Sequence, residues 1–176
     1  MSDYYTHRPF LIKELEKIDF SKPVNCLEFG TGDGSALVFN EFAKKHPNLF
    51  IKSYDNDKNW LYSTKEKYGL LNYEFNYVDN WSDLLKDSNF EKSIYDIVFV
   101  DQAPWEARIG TIELLKNKAK IIILHDYDFF NTGKCQNVYS VGEESFFRKL
   151  FDIKYHLYGN YDTLPPTLVI KNDILF

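Results

Sequence analysis

Residues 24–34 read Val-Asn-Cys-Leu-Glu-Phe-Gly-Thr-Gly-Asp-Gly, and this stretch decides the fold predicted for the chain. Its apolar residues Val24, Cys26 and Leu27 are typical of a buried parallel strand. Glycine has no Cβ, so the glycine turn that follows lets a ligand lie directly on the main chain. Residues 35–45 are predicted to be helical. A strand, a glycine turn and a helix N-terminus in this order bind the nucleoside end of a cofactor at the carboxyl edge of a parallel sheet.

The spacing of the glycines separates two kinds of cofactor site. A dinucleotide fingerprint, G-x-G-x-x-G, requires glycine or alanine where the chain has Ser35 if it starts at Gly30. If the fingerprint starts at Gly32, the position that requires glycine or alanine is occupied by Leu37. The chain has the different pattern E-x-G-x-G-x-G, which begins at Glu28. A nicotinamide site and a purely structural turn are therefore the less favoured alternatives.

Length and composition limit the class of protein. A chain of 176 residues with 15 Phe, 13 Tyr and 3 Trp suits one folded domain, 1–176, with a helical extension at 1–23. The net charge of −5 argues against a nucleic-acid partner. No apolar stretch approaches the roughly 20 residues of a membrane span. Two cysteines indicate no disulfide framework, so a cytoplasmic protein is expected.

Strand and helix patterns alternate along the chain. This alternation predicts an α/β fold with a Rossmann-like, doubly wound, mostly parallel seven-stranded sheet. The last two strands have no helix between them, so the C-terminal strand is expected to be antiparallel. The predicted strands are 24–29, 50–54, 73–78, 95–100, 119–124, 152–157 and 167–170, and the predicted helices are 4–17, 35–45, 58–68, 81–87, 106–116 and 143–150.

Polar residues follow five of the predicted strands. Because the carboxyl ends of parallel strands meet at one edge of the sheet, these residues are expected to lie together at a ligand site. They are Glu28, Asp55, Asp79, Asp101 and the pair His125-Asp126.

Two of these acids also have structural interpretations. The Asp55 carboxylate suits the paired hydroxyls of a ribose, which is the favoured interpretation; the alternative is an N-cap, because Asp55-Asn56-Asp57 precedes a helix and these are good capping residues. Asp79 and Asn80 precede another predicted helix and are good capping residues. Trp81, next along the chain, either stacks on a bound ring or belongs to the core.

The two later strand ends carry the candidate catalytic residues Asp101, Arg108, His125 and Asp126. Histidine is the side chain best suited to accept a proton near neutral pH. Arg108 has three interpretations: pairing with Asp101, holding a substrate carboxylate or phosphate, or lying in solvent. His125 has the alternative of a structural bond to the loop that follows it.

The pattern from Glu28 resembles motif I of the class I S-adenosylmethionine (SAM) methyltransferases. With it, FVDQAPWEAR, IIILHD and LPPTLVIKN resemble a group of small class I methyltransferase-like proteins, over residues 24–172. The resemblance implies SAM as cofactor, with Glu28 near its amino group, Asp79 near its adenine and Asp101 facing the transferred methyl. The implied cofactor-binding residues are Glu28, Phe29, Gly30, Thr31, Gly32, Gly34, Ser35, Asp55, Asn56, Asp79, Asn80 and Trp81.

A metal is not favoured by the sequence. Catechol-type O-methyltransferases hold Mg²⁺ with an acid after strand four and an Asp-Asn pair after strand five. This chain has Asp101 and Asp126 but carries Tyr127 where the asparagine is expected, so Asp128 or His125 would have to complete the set. No CxxC or HExxH spacing indicates zinc. No residue is therefore assigned to a metal.

The predicted function is SAM-dependent O-methylation of a small or sugar-like hydroxyl acceptor. His125 or Asp101 would remove the hydroxyl proton, and Arg108 would orient the acceptor. The alternatives are a catalytically silent SAM- or adenosine-binding partner subunit and an NAD-dependent oxidoreductase. The acceptor site is expected to be open or completed by a second subunit, which would make the protein a homodimer.

Overall fold

The computed structural model describes residues 5–87, 89–127, 155–160, 165–172 and 175. Seven strands form one sheet in the order β3-β2-β1-β4-β5-β7-β6. The strands are β1 (Val24–Phe29), β2 (Leu49–Asp55), β3 (Tyr73–Tyr77), β4 (Tyr95–Val100), β5 (Ala119–His125), β6 (Tyr155–Asn160) and β7 (Thr167–Asn172). The helices are α1 (Arg8–Leu15), α2 (Asp33–Lys45), α3 (Lys58–Tyr68), α4 (Trp81–Leu84), α5 (Asn89–Lys92) and α6 (Trp105–Leu115).

The strand order of the sheet reverses between β1 and β4, with β2 and β3 on one side of this pair and β5, β7 and β6 on the other. Strands β1 to β5 are mutually parallel, and β7 runs antiparallel to both β5 and β6. This confirms the mostly parallel sheet with an antiparallel C-terminal strand. Phe29 pairs with Val100, so the residues that follow β1 and β4 leave the sheet side by side. Ligands of open α/β sheets bind at such a switch point.

Apolar side chains cover both faces of the sheet. Cys26 and Ile97 face one core, where α1 and α2 contribute Leu11 and Phe39. Leu27 and Val98 face the other core, which contains side chains of α6. The central strands are buried on both sides, as expected for parallel strands between two layers of helices.

Several elements differ in length from the sequence prediction. The helix predicted at 4–17 begins only at Arg8, because Pro9 occupies its first turn and fixes φ there. The helix predicted at 81–87 ends at Leu84, and α5 was not predicted. Strand β6 lies three residues beyond 152–157, because its pairing with β7 sets its register. The predicted helix 143–150 lies outside the described residues.

No helix in the described part of the chain has both the length and the apolar character needed to cross a membrane.

Candidate active site

The turn after β1 requires glycine at its first position. Gly30 has φ +84°, and a Cβ there would lie 2.6 Å from backbone atoms of Asp101 and Gln102. The backbone N–H of Asp101 donates to the carbonyl of Phe29 at 2.7 Å. The glycine turn therefore packs directly on the chain that leaves β4, and this contact brings Asp101 beside the turn.

The other two glycines have different surroundings. Gly32 is the N-cap of α2 and has an ordinary extended backbone, and no heavy atom lies within 4 Å of a Cβ built on it. At Gly34 a Cβ would lie 2.6 Å from Nε2 of His7 and 2.8 Å from the ring of Tyr5. The segment before α1 thus lies against the start of α2. Arg8 holds it there by donating to the carbonyl oxygens of Gly34 and Asp33 at 3.1 and 2.9 Å.

A cavity of about 340 Å³ opens beside the glycine turn. Its volume lies at the lower end of the range of small-molecule sites. Four of the predicted cofactor-binding residues line it, together with one predicted catalytic residue and four residues that the prediction did not include. The lining residues are Thr31, Gly32, Gly34, Ser35 and Asp101, with the unpredicted Tyr5, His7, Asp33 and Trp60.

Glu28 lies beneath the cavity rather than on its surface. Its side chain is fully buried and accepts hydrogen bonds from Ser35 at 2.5 Å, from Tyr73 at 2.6 Å and from Ser53. Burial raises the pKa of Glu28 to about 7 against the lowering effect of these hydroxyl donors. Glu28 is therefore not at the cavity surface, where the expected contact with a cofactor amino group would require it to be. Glu28 instead joins β1 to β2, β3 and α2.

Asp55 supports the glycine turn from the end of β2. Its Oδ2 accepts from the backbone N–H and hydroxyl of Thr31 at 2.7 and 3.1 Å. Its Oδ1 accepts from the N–H of Asp57 at 2.8 Å. Within the stretch Asp55-Asn56-Asp57, the N-cap of α3 is Asp57, so capping is the role of Asp57 and not of Asp55. Burial is the main cause of a raised Asp55 pKa. Asn56 is exposed beside it.

Asn80 and Trp81, which follow β3, have the capping and core roles that were the alternatives to cofactor binding. Asn80 caps α4 by accepting from the N–H of Ser82 at 2.8 Å. Trp81 is buried in the core and donates from Nε1 to the carbonyl of Ala103 at 2.8 Å. This corrects the expected stacking of Trp81 on a bound ring, because its indole packs inside the protein. Asp79 is exposed and accepts from the hydroxyl of Tyr77 at 2.9 Å.

Phe29 is also a core residue. Its ring is completely buried and stacks on Tyr54 with centroids 5.5 Å apart. Its side chain therefore does not reach the cavity. Trp60, which the prediction did not include, does: its Nε1 donates to the carbonyl of Thr31 at 2.5 Å, while 49% of the residue stays exposed. The signal for Trp60 was its place in the first turn of the helix that follows Asp55.

Arg108 is a buried tie between β4 and β5. It donates to the carbonyls of Gln102 at 2.8 Å, His125 at 2.6 Å and Asp101 at 3.1 Å. Its guanidinium also pairs with the carboxylates of Asp101 at 3.0 Å and Asp126 at 3.6 Å. Burial lowers the pKa of Arg108, and the two carboxylates oppose that shift. This corrects the expected orientation of an acceptor by Arg108, since its donors are engaged within the protein.

His125 makes contacts from both ring nitrogens. Nε2 lies 3.1 Å from Oγ1 of Thr6, and Nδ1 lies 3.2 Å from Oδ1 of Asp101. The Thr6 hydroxyl donates its single hydrogen to the carbonyl of Pro165 at 2.5 Å, so it must accept from Nε2–H of His125. In neutral His125 the Nδ1 lone pair would then face the Asp101 carboxylate.

His7 lies beside this pair and was not predicted to take part. It is 3% exposed, and its ring meets the ring of His125 edge-on with centroids 4.6 Å apart. Neither of its ring nitrogens has a hydrogen-bond partner among the described residues. Burial, and next the neighbouring His125, lower the pKa of His7 to about 3.

Asp126 completes the turn after β5. Its φ of +53° is one that an aspartate tolerates better than most side chains. Burial is the main cause of a raised Asp126 pKa, and the Arg108 guanidinium opposes the rise. The sharp turn keeps its carboxylate near Arg108. Asp126 is not among the residues that line the cavity.

Comparisons with protein-family models and with curated proteins gave no match. Solved structures do match. A putative O-methyltransferase from Klebsiella pneumoniae superimposes with TM-score 0.68 and 13% identity, over 98% of this chain and 82% of that one. An O-methyltransferase from Bacillus cereus, in complex with S-adenosylhomocysteine (SAH), gives TM-score 0.62 and 14% identity over 97% and 84%.

An O-methyltransferase family protein from Burkholderia thailandensis gives TM-score 0.56 and 15% identity. It matches 94% of this chain, which spans only 55% of that longer protein. This chain has the class I methyltransferase fold. In the methyltransferase fold seen here, the cavity lies at the carboxyl ends of β1 and β4, beside the point where the strand order reverses.

Proposed function

We propose that the protein is a SAM-dependent methyltransferase that binds its cofactor in the cavity beside the glycine turn. The observation that carries this proposal is Gly32, whose missing side chain leaves open space on a cavity that also has Asp101 in its wall. The first turn of α2 has no side-chain cap, so its backbone N–H groups suit the carboxylate of the methionine part. The O-methyltransferases of the same fold support the choice of cofactor.

The nucleoside would be held by the end of β2. For Asp55 to accept from ribose hydroxyls, the ribose must replace the Thr31 hydroxyl, which lies 3.1 Å from Oδ2. This exchange of one hydroxyl for another costs little. Trp60 lies over the same loop and offers an exposed aromatic face to the cofactor.

The acceptor is proposed to be a small or sugar-like hydroxyl compound that meets the methyl group at Asp101. The Asp101 side chain is 26% exposed and lines the cavity, whereas that of His125 is 4% exposed and lies behind it. Asp101 is therefore the group within reach of an acceptor hydroxyl, and His125 positions it. The methyl passes from sulfur to oxygen, and the hydroxyl proton passes to the Asp101–His125 pair.

Calorimetric titration with SAM, SAH and NAD tests the cofactor. We expect SAM and SAH to bind and NAD not to bind. The variant Gly32→Val adds a branched side chain to the open position, so it should weaken SAH binding by about tenfold or more. The control Leu71→Val changes a fully exposed side chain and should bind SAH like the parent protein.

The titration also separates the proposal from its rivals. Binding of NAD in place of SAH would make the protein an oxidoreductase candidate and contradict the proposal. Equal SAH affinity in the Gly32→Val variant would remove the cavity from cofactor binding. Binding of SAM without methyl transfer to any hydroxylated sugar or phenol would favour a catalytically silent partner subunit.

A further inference from the structure

The geometry points to a site for one divalent transition-metal ion, formed by His7, Asp101 and His125. One potential ligand atom from each of these residues lies within 4.8 Å of the other two. The three come from distant parts of the chain: the segment before α1, the end of β4 and the end of β5. Two of them, His7 and Asp101, also line the cavity beside the glycine turn.

The hydrogen bonds of His125 leave a place for a cation. Nε2 of His125 contacts Oγ1 of Thr6 at 3.1 Å, so Nδ1 is the ring nitrogen that faces Asp101. Nδ1 lies 3.2 Å from Oδ1 of Asp101. Metal bonds of about 2.1 Å set neighbouring ligand atoms about 3.0–3.4 Å apart, which brackets this distance.

His7 supplies the independent observation. It is 3% exposed, and both of its ring nitrogens lack a partner among the described residues. A buried imidazole with neither nitrogen bonded is costly. Coordination of one nitrogen removes that cost. The three potential ligand atoms lie within 4.8 Å of one another, whereas ligand atoms on one ion lie about 3.4 Å apart. The His7 nitrogen would therefore have to move by about 1.4 Å. Rotation about χ2 allows this movement, because that torsion is broad in histidine.

The donor set selects the kind of ion. Two imidazole nitrogens and one carboxylate oxygen suit Zn²⁺, Fe²⁺ or Co²⁺, whereas Mg²⁺ and Ca²⁺ prefer oxygen ligands. Two histidines and one carboxylate leave further positions of the ion open. Since His7 and Asp101 face the cavity, the open positions face it too.

The surrounding charges are compatible with a divalent ion. Arg108 lies 3.0 Å from Oδ1 of Asp101 but is shared with the carboxylate of Asp126, and Arg8 is the cation that acts on His7. The hydrogen bond from Arg108 orients the Asp101 carboxylate, as outer-shell donors do in metal sites. Thr6 contacts the ring nitrogen of His125 that does not face the ion and holds the ring in the same way.

The role of the ion rests on the proposed function. The ion would lower the pKa of an acceptor hydroxyl at the cavity, so that this proton could pass to solvent water; the transfer to the Asp101–His125 pair would then apply to the metal-free protein. The oxygen–methyl bond then forms as the sulfur–methyl bond of SAM breaks, and SAH leaves. In the metal-bound protein Asp101 holds the ion instead of the proton.

Titration of metal-stripped protein with Co²⁺ tests the site without any assay of activity. Visible absorption reports imidazole coordination, and calorimetry reports the number of ions. We expect one ion per chain. His7→Gln and Asp101→Asn should each weaken Co²⁺ binding by about 100-fold or more, since each removes a ligand. His46→Ala removes a histidine that stacks on Phe20 away from the site and should bind Co²⁺ like the parent protein.

Asp101→Asn keeps the size of the side chain, so it tests the site even if the His7 variant fails to fold. Absence of a Co²⁺ spectrum in the parent protein would overturn the inference, and so would an unchanged spectrum in folded Asp101→Asn protein. SAH titration of the same samples keeps the two proposals apart. SAH binding without Co²⁺ binding overturns only the metal site, whereas Co²⁺ binding without SAH binding overturns only the cofactor site.

Discussion

The two halves of the carboxyl edge of the sheet differ in how far their polar groups are satisfied. In the first half, at the ends of β1 and β2, Glu28 and Asp55 each accept three hydrogen bonds from neighbouring residues. In the second half, beside the ends of β4 and β5, the buried ring of His7 has no hydrogen-bond partner among the described residues. The first half is therefore a scaffold whose buried carboxylates have their hydrogen-bond donors. The second half contains a buried imidazole whose two nitrogens are left unpartnered.

This difference separates support from chemistry. Buried polar groups with all their hydrogen bonds made hold a loop in one conformation, and a cofactor site requires such a fixed loop. A buried group that lacks a hydrogen-bond partner can instead interact with a ligand. Substitutions in the first half should therefore act mainly on stability, and substitutions in the second half should act mainly on activity or on ion binding.

The largest expected effect is on activity, at Asp101. Asp101→Asn should lower the rate of methyl transfer by roughly 100- to 10,000-fold, because it removes the carboxylate that faces the acceptor. Asp83→Asn is the matched control, since Asp83 is an exposed carboxylate that pairs with Lys86 and belongs to no proposed site. Steady-state assays with a hydroxylated acceptor measure the effect. Equal rates in both variants would show that the second half of the edge has no chemical role.

The next effect is on stability, at Arg108. Arg108→Met leaves the carboxylates of Asp101 and Asp126 without their buried partner and should cost about 3–5 kcal/mol of unfolding free energy. Lys120→Met breaks the more exposed pair with Asp96 and should cost less than about 1 kcal/mol. Urea denaturation compares the two. A small loss at Arg108 would mean that it does not tie the two halves together.

The glycine turn offers a comparison within the first half. Gly30→Ala places a Cβ 2.6 Å from the backbone of Asp101 at a positive φ, so it should cost about 3 kcal/mol or more. Gly32→Ala meets open space at an extended φ and should change stability by less than about 1 kcal/mol. Thermal unfolding of the pair measures this difference. Similar melting temperatures would contradict the close packing of the turn on β4.

The smallest effect per unit of the variable changed is a pH dependence of stability caused by Glu28. Its pKa rises to about 7 in the folded protein from an ordinary value of 4.5, so the folded state keeps this proton to a higher pH. Its contribution to stability is full below pH 4.5 and is lost as the pH rises through about 7. The stability of the parent protein relative to Glu28→Gln should fall over this window, with a slope of at most about 1.4 kcal/mol per pH unit.

Urea denaturation at several pH values measures that slope. Glutamine keeps the size of the side chain but does not titrate, so the Glu28→Gln variant is the control for the parent protein. Parallel stability profiles for the two proteins would show that Glu28 titrates alike in the folded and unfolded states.

Much of the fold was predictable because its signals are local. Apolar runs bounded by glycine, proline and charged residues fixed the limits of β1, α3 and β4. The carboxyl ends of parallel strands share an edge, so the closeness of Asp101 and His125 also followed from the pattern. The two tryptophans show the limit: Trp81 and Trp60 both follow a strand-end acid, but only three-dimensional packing buries one and leaves the other at the cavity.

The role of His7 could not be predicted from local sequence. It precedes the first helix, more than a hundred residues from His125, and no motif links the two. Only folding of this segment onto Gly34 brings its ring to the end of β5. The missing partners of its nitrogens are likewise a property of packing, since burial is decided by residues remote in the chain.

The bond from Thr6 to Pro165 has a consequence for synthesis on the ribosome. It joins a residue just before α1 to one just before β7. During synthesis the glycine turn and Asp101 emerge well before Pro165, so the contact of Thr6 with Pro165 forms only after β5 has been made. Prematurely terminated products that lack this residue would therefore contain the glycine turn without the finished second half of the edge.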